Sequence, residues 1–248
     1  MTWSYSRITC FEDCPYRWYM KYIAGMKEKP MFYASYGKFM HKLIEKYYNG
    51  ELAKGEMKER FLLDFSSKVK GDRPSEKIVS SYIQKGVKYL DNFTDFPYKT
   101  VAVEDSIVFD INGIPFLAIV DYVGKDDDGY VIIDNKSREL KPRSNRKKPT
   151  KNDLDLDEML VQLYIYSAAI KSKYGELPKT LCFNCFKNGQ FIEEPFNREK
   201  YEEAIAWAEK MVELITGSET EDFYPNIEFF VCYYLCGLSD ECCYWNDR

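Results

Sequence analysis

Two aspartates stand inside stretches that otherwise read as buried β-structure, and this feature limits the possible folds more than any other. The segment IVDYVGKDDDGYVIIDNKSRE carries Asp121 and Asp134 within runs of β-branched and aromatic residues. A buried ionised carboxylate is costly unless a cation or hydrogen bonds compensate it. Two such groups on neighbouring strands can share a divalent ion, and Mg²⁺ prefers oxygen ligands. The sequence therefore predicts a metal site between two adjacent strands.

Lys136 follows Asp134 by two positions. Residues two apart in a strand point to the same face, so the ammonium group is expected beside the metal. There it can orient an attacking water or stabilise charge on a scissile phosphate. The backbone carbonyl of Asn135 could add a metal ligand. The Asp-x-Lys pattern is also common on solvent-facing strand edges, so an ordinary charged edge stays open at this point.

Composition narrows the class of protein. The chain has 248 residues, of which 45% are apolar and 30% charged, as in a globular protein with a substantial core. A net charge of −5 argues against a passive nucleic-acid coat protein but allows an enzyme with a local basic groove. The start of the chain lacks a signal peptide, and its charge-free runs are shorter than the roughly 20 residues of a membrane span. We expect a cytoplasmic protein without membrane contact.

The hydrophobic period divides the chain into three parts, with no internal repeat and no linker. Residues 1–95 are mainly helical, and Pro15 is suited to open a second helix within the first segment. Residues 96–197 contain a three-stranded meander broken by the turns NG and DDDG, then a helix and a hairpin. Residues 198–248 contain a helix and a cysteine-rich tail. We interpret 1–248 as one compact α/β domain.

A basic segment follows the second aspartate. Residues 136–151 carry eight Lys or Arg against one Glu, and we interpret them as an exposed loop. These cations could grip the phosphates of a nucleic-acid strand. The aromatic residues Tyr16, Trp18 and Tyr19 could stack on bases, although core packing is the better interpretation for at least half of them.

The spacing of Asp121, Asp134, Asn135 and Lys136 on a hairpin resembles the core of the PD-(D/E)XK nuclease superfamily. Three further features resemble its RecB-like branch, which includes the CRISPR-associated iron–sulfur nucleases and the AddB-type nucleases. Taken together they cover nearly the whole chain in the right order. The resemblance implies a restriction-endonuclease-like core, with a central mixed β-sheet flanked by helices. In the lysine motif this chain has DNKS where the family more often has DYKT.

The first feature is YGKFMHKLIE, which resembles the branch's Gly-x-x-x-His helix. The resemblance implies that His41, the sole histidine, contacts the catalytic metal together with Asp121, Asp134 and Asn135. Glu45 lies one helical turn after His41 and could orient the imidazole. The resemblance also suggests that an acidic residue near Glu104 assists the site, ranked below the two aspartates.

The second feature is QLYIY, which matches the Gln-x-x-x-Tyr motif of the branch. Gln162 and Tyr166 lie four apart and so share one helix face. The resemblance implies that they position DNA or the active site, while an apolar-stripe role for Tyr166 stays compatible. The third feature is the N-terminal SYSRITCFEDCPYRWYMKY, which resembles the opening Ser-x-Ser-Arg and Cys-Pro helix of the branch.

The cysteines suggest a second metal centre. In a reducing compartment, eight cysteines favour metal binding or buried thiols over disulfides. Cys232, Cys236 and Cys242 have the spacing C-x3-C-x5-C, where the branch usually has C-x2-C-x5-C, so Cys243 stays open as the last ligand. The resemblance implies that Cys14 supplies the fourth thiolate of a [4Fe–4S] cluster joining the N-terminal helices to the tail. A structural Zn²⁺ on the same four thiolates is the alternative.

The resemblance implies a DNA nuclease dependent on Mg²⁺ or Mn²⁺, exonucleolytic on single strands or DNA ends in recombination, repair or replication. Helicase or recombination proteins are possible partners. The alternative from another class is a non-catalytic DNA-binding or docking subunit of a recombination complex that retains a structural cluster. An RNA nuclease is a third option. No ATP-binding loop of the type G-x-x-x-x-G-K-[ST] is present in the sequence.

Overall fold

A mixed five-stranded sheet organises the computed structural model, which describes residues 1–246. The strands follow one another across the sheet in chain order: β1 Lys99–Ile111, β2 Ile114–Lys125, β3 Tyr130–Lys136, β4 Thr180–Cys185 and β5 Gln190–Pro195. All neighbours are antiparallel except β3 and β4, which run parallel. This sheet and its flanking helices confirm the predicted α/β class with a central mixed sheet.

Nine α-helices lie within residues 1–246, and most of them agree with the predicted periodicity. They are α1 Tyr5–Asp13, α2 Pro15–Tyr22, α3 Phe32–Tyr48, α4 Met57–Lys68, α5 Glu76–Asp91, α6 Lys151–Tyr174, α7 Arg198–Gly217, α8 Phe229–Tyr234 and α9 Cys243–Asn246. Helix α2 opens with Pro15 as predicted. Across these residues, no helix combines the length and the apolar character that crossing a bilayer requires.

The two turns of the meander form where the sequence predicts them. Asn112 and Gly113 both have positive φ, 49° and 89°, which suits the tight β1–β2 connection. The β2–β3 turn is held by Asp126, whose Oδ1 accepts hydrogen bonds from the backbone N–H groups of Asp128 and Gly129. Local turn chemistry therefore favours the antiparallel pairing of the first three strands.

Strands β2 and β3 separate in the middle of the sheet. Their pairing runs from Lys125 and Tyr130 to Tyr122 and Ile133 and goes no farther. Beyond that point β2 continues beside β1, whereas β3 continues beside β4 as far as Lys136. Asp121 is the first β2 residue past the fork. The backbone there lacks part of its ladder, so polar side chains can reach the gap.

Strand residues alternate between two apolar layers on opposite sides of the sheet. Ile132, Leu181 and Phe183 pack in the layer that contains α6 and α7, whereas Ile133 and Cys182 pack in a smaller layer on the other side. Cys182 and Cys185 thus point to opposite faces, as their odd spacing predicts, and both are buried free thiols.

Helices α3, α4 and α5 form a separate aromatic cluster around Tyr36, Phe61 and Phe65. Gly86 of α5 lies against this cluster. A Cβ atom at Gly86 would stand 2.6 Å from Cζ of Phe61. The Phe61 ring is fully buried and stacked on Phe39, with ring centroids 5.8 Å apart, so it has no room to retreat.

We predict that Gly86→Ala lowers the free energy of unfolding by about 1–2 kcal/mol, because overpacking outweighs the usual gain from alanine in a helix. Gly217→Ala is the matched control, because a Cβ there meets open space at the end of α7. It should leave stability unchanged or slightly higher. Urea unfolding of the three proteins measures both values. Equal or greater stability of Gly86→Ala would contradict this account of the packing.

Candidate active site

Three side chains from three different elements converge at the fork between β2 and β3. His41 comes from α3, Glu104 from β1 and Asp121 from β2, and one ligand atom of each lies within 4.8 Å of the other two. The Nδ1 atom of His41 is 3.2 Å from Oδ2 of Asp121. They line a cavity of about 390 Å³. One imidazole and two carboxylates at this spacing can hold a divalent ion.

Glu104 holds an unusual backbone conformation at this point. Its φ is +50°, in the left-handed region that non-glycine residues seldom adopt. The neighbouring residues Val103 and Asp105 pair with Tyr122 and Val120, which sets Glu104 across from Asp121. Local strain of this kind collects at functional sites. The sequence ranks Glu104 below the two aspartates, and only the strand register brings it into the group with His41.

Asp134 is 3% exposed and takes part in a different set of contacts. Its Oδ1 accepts a hydrogen bond from Nε2 of Gln162 at 2.9 Å. Lys136 donates to Oε1 of the same glutamine at 2.6 Å, and its Nζ lies 2.8 Å from Oδ2 of Asp134. Gln162 also donates to the hydroxyl of Tyr166 at 3.0 Å. The glutamine therefore links the acid, the ammonium group and the tyrosine in one network.

Two electrostatic features of these acids favour a bound cation. Burial raises the pKa of Asp134; the ammonium of Lys136 opposes that shift without cancelling it, and Asp121 adds to it. Burial and the neighbouring Asp121 also raise the pKa of Glu104. In addition, Oδ2 of Asp134 is buried and has no hydrogen-bond partner among residues 1–246: the contact with Lys136 is close but not aligned as a hydrogen bond. The donor set fits a hard divalent ion, which would compensate these carboxylates.

The charge of His41 responds to the same acids. Burial by itself lowers the pKa of the imidazole. The hydrogen bond with Asp121 and the charges of Asp121, Asp134 and Glu104 outweigh burial, so the pKa is raised overall. A cation at this place would compete with the proton for the imidazole.

Asn135 lies between the two sets of contacts. Its backbone N–H donates to Oδ2 of Asp121 at 2.7 Å, where a continuing β-ladder would have supplied a carbonyl. Its side chain points to the opposite face, where its Oδ1 accepts from Nδ2 of Asn184 at 2.7 Å. The predicted role of the Asn135 carbonyl as a metal ligand stays a prediction.

Three side-chain expectations differ from the structure. Glu45 pairs with Lys42 at 2.6 Å, so the contact with the imidazole is made by Asp121 instead. Trp18 is 2% exposed and belongs to the core, which removes it as a base-stacking residue. Arg143 of the basic loop is held by two acids, Asp157 and Glu194, at 2.7 and 2.8 Å. It is therefore not free to grip phosphates.

The N-terminal and C-terminal cysteines come close to one another. The thiol of Cys14 caps α2 and accepts a hydrogen bond at 3.4 Å from the backbone N–H of Asn226. Cys236 and Cys242 share a small apolar cluster with Met20 of α2. Burial raises the pKa of the Cys236 thiol, and the nearby thiols of Cys14 and Cys232 add to this shift. The tertiary structure thus brings Cys14 near the C-terminal tail, and the four-cysteine ligand set stays a prediction.

Comparisons with known proteins found a matching family model and similar solved structures. A sequence model of the PD-(D/E)XK nuclease superfamily matches residues 2–243. A crystal structure from Eubacterium rectale, of a protein provisionally named an exonuclease, aligns with a TM-score of 0.56 at 12% identity over 97% of this chain and 87% of its own. Another solved structure, SSO0001, aligns over 90% and 91% of the two chains at 14% identity with a TM-score of only 0.34. No curated protein sequence matches significantly.

We predict that Glu104→Gln weakens Mn²⁺ binding by about tenfold or more, because it removes a charged ligand from the group. Glu45→Gln is the matched control, since Glu45 lines the same cavity but is paired with Lys42. It should bind Mn²⁺ almost as the parent does. Isothermal titration measures both dissociation constants. Equal losses in the two variants would mean that general negative charge, and not ligation by Glu104, holds the ion.

Proposed function

Because this chain belongs to the PD-(D/E)XK nuclease superfamily, we propose that it is a deoxyribonuclease that uses Mg²⁺ or Mn²⁺ to hydrolyse phosphodiester bonds. One observation carries the proposal. A possible ligand group of one imidazole and two carboxylates lies beside a buried Asp134–Lys136 pair at a single fork in the sheet. The catalytic set is then His41, Asp121, Asp134, Lys136, Gln162 and Tyr166, with Glu104 added to the metal site.

Each of these residues has a separate task. A bound divalent ion supplies charge neutralisation at the phosphate and makes water more acidic. His41, Glu104 and Asp121 would hold that ion, and Asp134, whose buried Oδ2 has no hydrogen-bond partner among residues 1–246, is the further ligand that the sequence predicts. Lys136 is oriented by Gln162 and Asp134, and it acts either on the attacking water or on the phosphate charge.

Gln162 keeps this arrangement aligned. It accepts from the ammonium of Lys136 while it donates to Asp134 and to Tyr166, so both ends of its amide are used. A side chain fixed in this way holds the lysine still without competing for its charge. Preorganisation of the ammonium is the expected contribution of Gln162 to the rate.

An exonuclease that acts on unpaired DNA or DNA ends is the form we favour, with a role in recombination, repair or replication. The name carried by the similar Eubacterium rectale protein supports the exonucleolytic form. The exposed cations of the basic loop, which include Lys141, Arg146, Lys147 and Lys148, support contact with a phosphate backbone. Helicase or recombination partners are part of the same proposal.

We predict that Asp121→Ala and Lys136→Ala each abolish Mg²⁺-dependent and Mn²⁺-dependent DNA cleavage while the protein stays folded. Lys210→Ala, which changes an exposed lysine on α7, should cut at the parent rate. A gel assay of a labelled single strand, with and without EDTA, measures these rates. Cleavage by either site variant at the parent rate would refute the assignment. Absence of cleavage by the parent would favour the non-catalytic DNA-binding subunit.

An RNA competitor separates the remaining choice of substrate. Unlabelled RNA of the same sequence and length is added to the DNA cleavage reaction in increasing amounts. Under the proposal it competes weakly and is not degraded. Rapid degradation of the RNA would assign the same centre to RNA.

We also propose that the chain belongs to the RecB-like iron–sulfur branch, with a [4Fe–4S] cluster on Cys14, Cys232, Cys236 and Cys242. The proximity of Cys14 to the tail supports this ligand set. Tetrahedral Zn²⁺ on the same four thiolates is the competing occupant.

We predict that protein purified without oxygen is brown, and that Cys242→Ser loses the iron absorption while Cys243→Ser retains it. Cys242 is buried with Cys236, whereas Cys243 is exposed and contacts the hydroxyl of Tyr16 at 3.6 Å. Absorption spectra and iron analysis of the three proteins provide the measurement. A colourless parent that contains zinc would overturn the cluster, and loss of iron only in Cys243→Ser would exchange the two ligands.

A further inference from the structure

We propose that a row of aromatic side chains, five on the C-terminal tail and one on α3, stacks the bases of an unpaired DNA strand and leads that strand to the candidate active site. The inference rests on the proposed nuclease function and deepens it. The row, called here the aromatic track, consists of Tyr33, Phe229, Phe230, Tyr233, Tyr234 and Trp245. It replaces the stacking role that the sequence suggested for Trp18.

Each ring of the aromatic track lies next to at least one other ring of the row. Tyr33 of α3 has ring centroids 6.2 Å from Phe230 and 6.3 Å from Tyr234. Tyr234 is 4.6 Å from Tyr233, which stacks on Phe229 at 5.7 Å with only 9° between the ring planes. Trp245 continues the row 5.9 Å from Phe229. The rings therefore form one connected surface and not isolated exposed side chains.

Three of these rings are far more exposed than core aromatics, whereas Tyr33, Tyr234 and Trp245 are half-buried. Phe229 is 66% exposed, Phe230 46% and Tyr233 54%. Large apolar side chains grouped at a surface mark an interaction site, whereas single exposed ones need no explanation. Helix α8 carries Phe229, Phe230, Tyr233 and Tyr234 within six residues, and none of its residues is buried. The folded chain thus leaves this surface available to a ligand.

Tyr33 connects the aromatic track to the candidate active site. It lines the cavity of about 390 Å³ that also contains His41, Glu104 and Asp121. The same cavity includes Lys38, which is exposed on the next turn of α3. A strand that enters along the track would reach the acids with a cation beside its phosphates. This continuity indicates a strand as the occupant and not a docked protein, which would have no reason to end at the catalytic cavity.

Stacking of bases on aromatic side chains suits a nuclease that binds unpaired DNA ends of any sequence. Every base has a π-face, so aromatic side chains hold any base with little preference. Paired bases cannot use such a surface, because their faces are covered by neighbours in the duplex. The track would therefore favour single strands over blunt duplexes, a preference that the metal site alone cannot supply.

The test compares binding of a labelled oligothymidylate to the parent and to Phe230→Ala/Tyr233→Ala. EDTA is present, so that no strand is cut, and fluorescence anisotropy gives the dissociation constants. We expect affinity for the unpaired strand to fall by about tenfold or more in the double variant. Leu63→Ala, which removes a 69%-exposed side chain on α4, is the matched control and should bind as the parent does.

Two further arms separate stacking from structural damage. An abasic strand of the same length should bind the parent and the double variant equally, because it offers phosphates without bases. Phe230→Trp/Tyr233→Trp should restore binding of oligothymidylate, since indole rings stack at least as well. Unchanged binding by the alanine variant would overturn the track, and would leave protein docking as the reading of this surface. Equal losses on the abasic strand, or failure of the tryptophan variant, would overturn it as well.

The outcome is independent of the catalytic proposal. If the parent cleaves DNA in Mg²⁺ while the alanine variant binds strands normally, only the track is wrong. If the track variants lose binding but the parent cuts nothing, only the proposed catalytic function is wrong.

Discussion

The burial of Asp134 is the constraint on which the rest of the site depends. A carboxylate at 3% exposure is tolerated only when charge and hydrogen bonds surround it, and here Lys136 and Gln162 supply both. Within the described part of the chain, Oδ1 of Asp134 accepts a hydrogen bond whereas Oδ2 has no aligned donor. The protein alone therefore leaves the charge of this acid incompletely compensated. A divalent ion at the neighbouring ligand group would complete it.

The fork between β2 and β3 creates the space for the candidate metal ligands. A continuous ladder would have filled the backbone positions beside Asp121 with carbonyl partners. Because the strands part after Tyr122 and Ile133, the N–H of Asn135 bonds to the Asp121 carboxylate instead. His41 and the strained Glu104 reach the same gap. The sheet thus creates a polar opening in an otherwise apolar layer, and the candidate catalytic groups gather there.

Contacts between the chain ends extend the architecture beyond the sheet. The backbone N–H of Tyr16 bonds to the carbonyl of Tyr224 at 3.3 Å, and that of Lys29 bonds to Gly237 at 2.8 Å. Gly237 has no space for a side chain, because a Cβ there would lie 2.5 Å from the carbonyl of Lys29. These contacts hold the tail against α2 and next to α3. They place Cys14 near the tail cysteines and the aromatic track beside the cavity of the candidate active site.

The sequence by itself determined most of the helices, the meander with its NG turn, and the shared side of Asp134 and Lys136, but not the short helices of the tail. Hydrophobic periodicity and turn residues are local signals, so they can be read from the sequence without knowledge of the tertiary structure. Only the tertiary structure decided that Glu104 joins His41 and Asp121, that Arg143 is neutralised, and which aromatics are exposed. Distances between residues remote in sequence depend on strand register and helix packing, which no local pattern encodes.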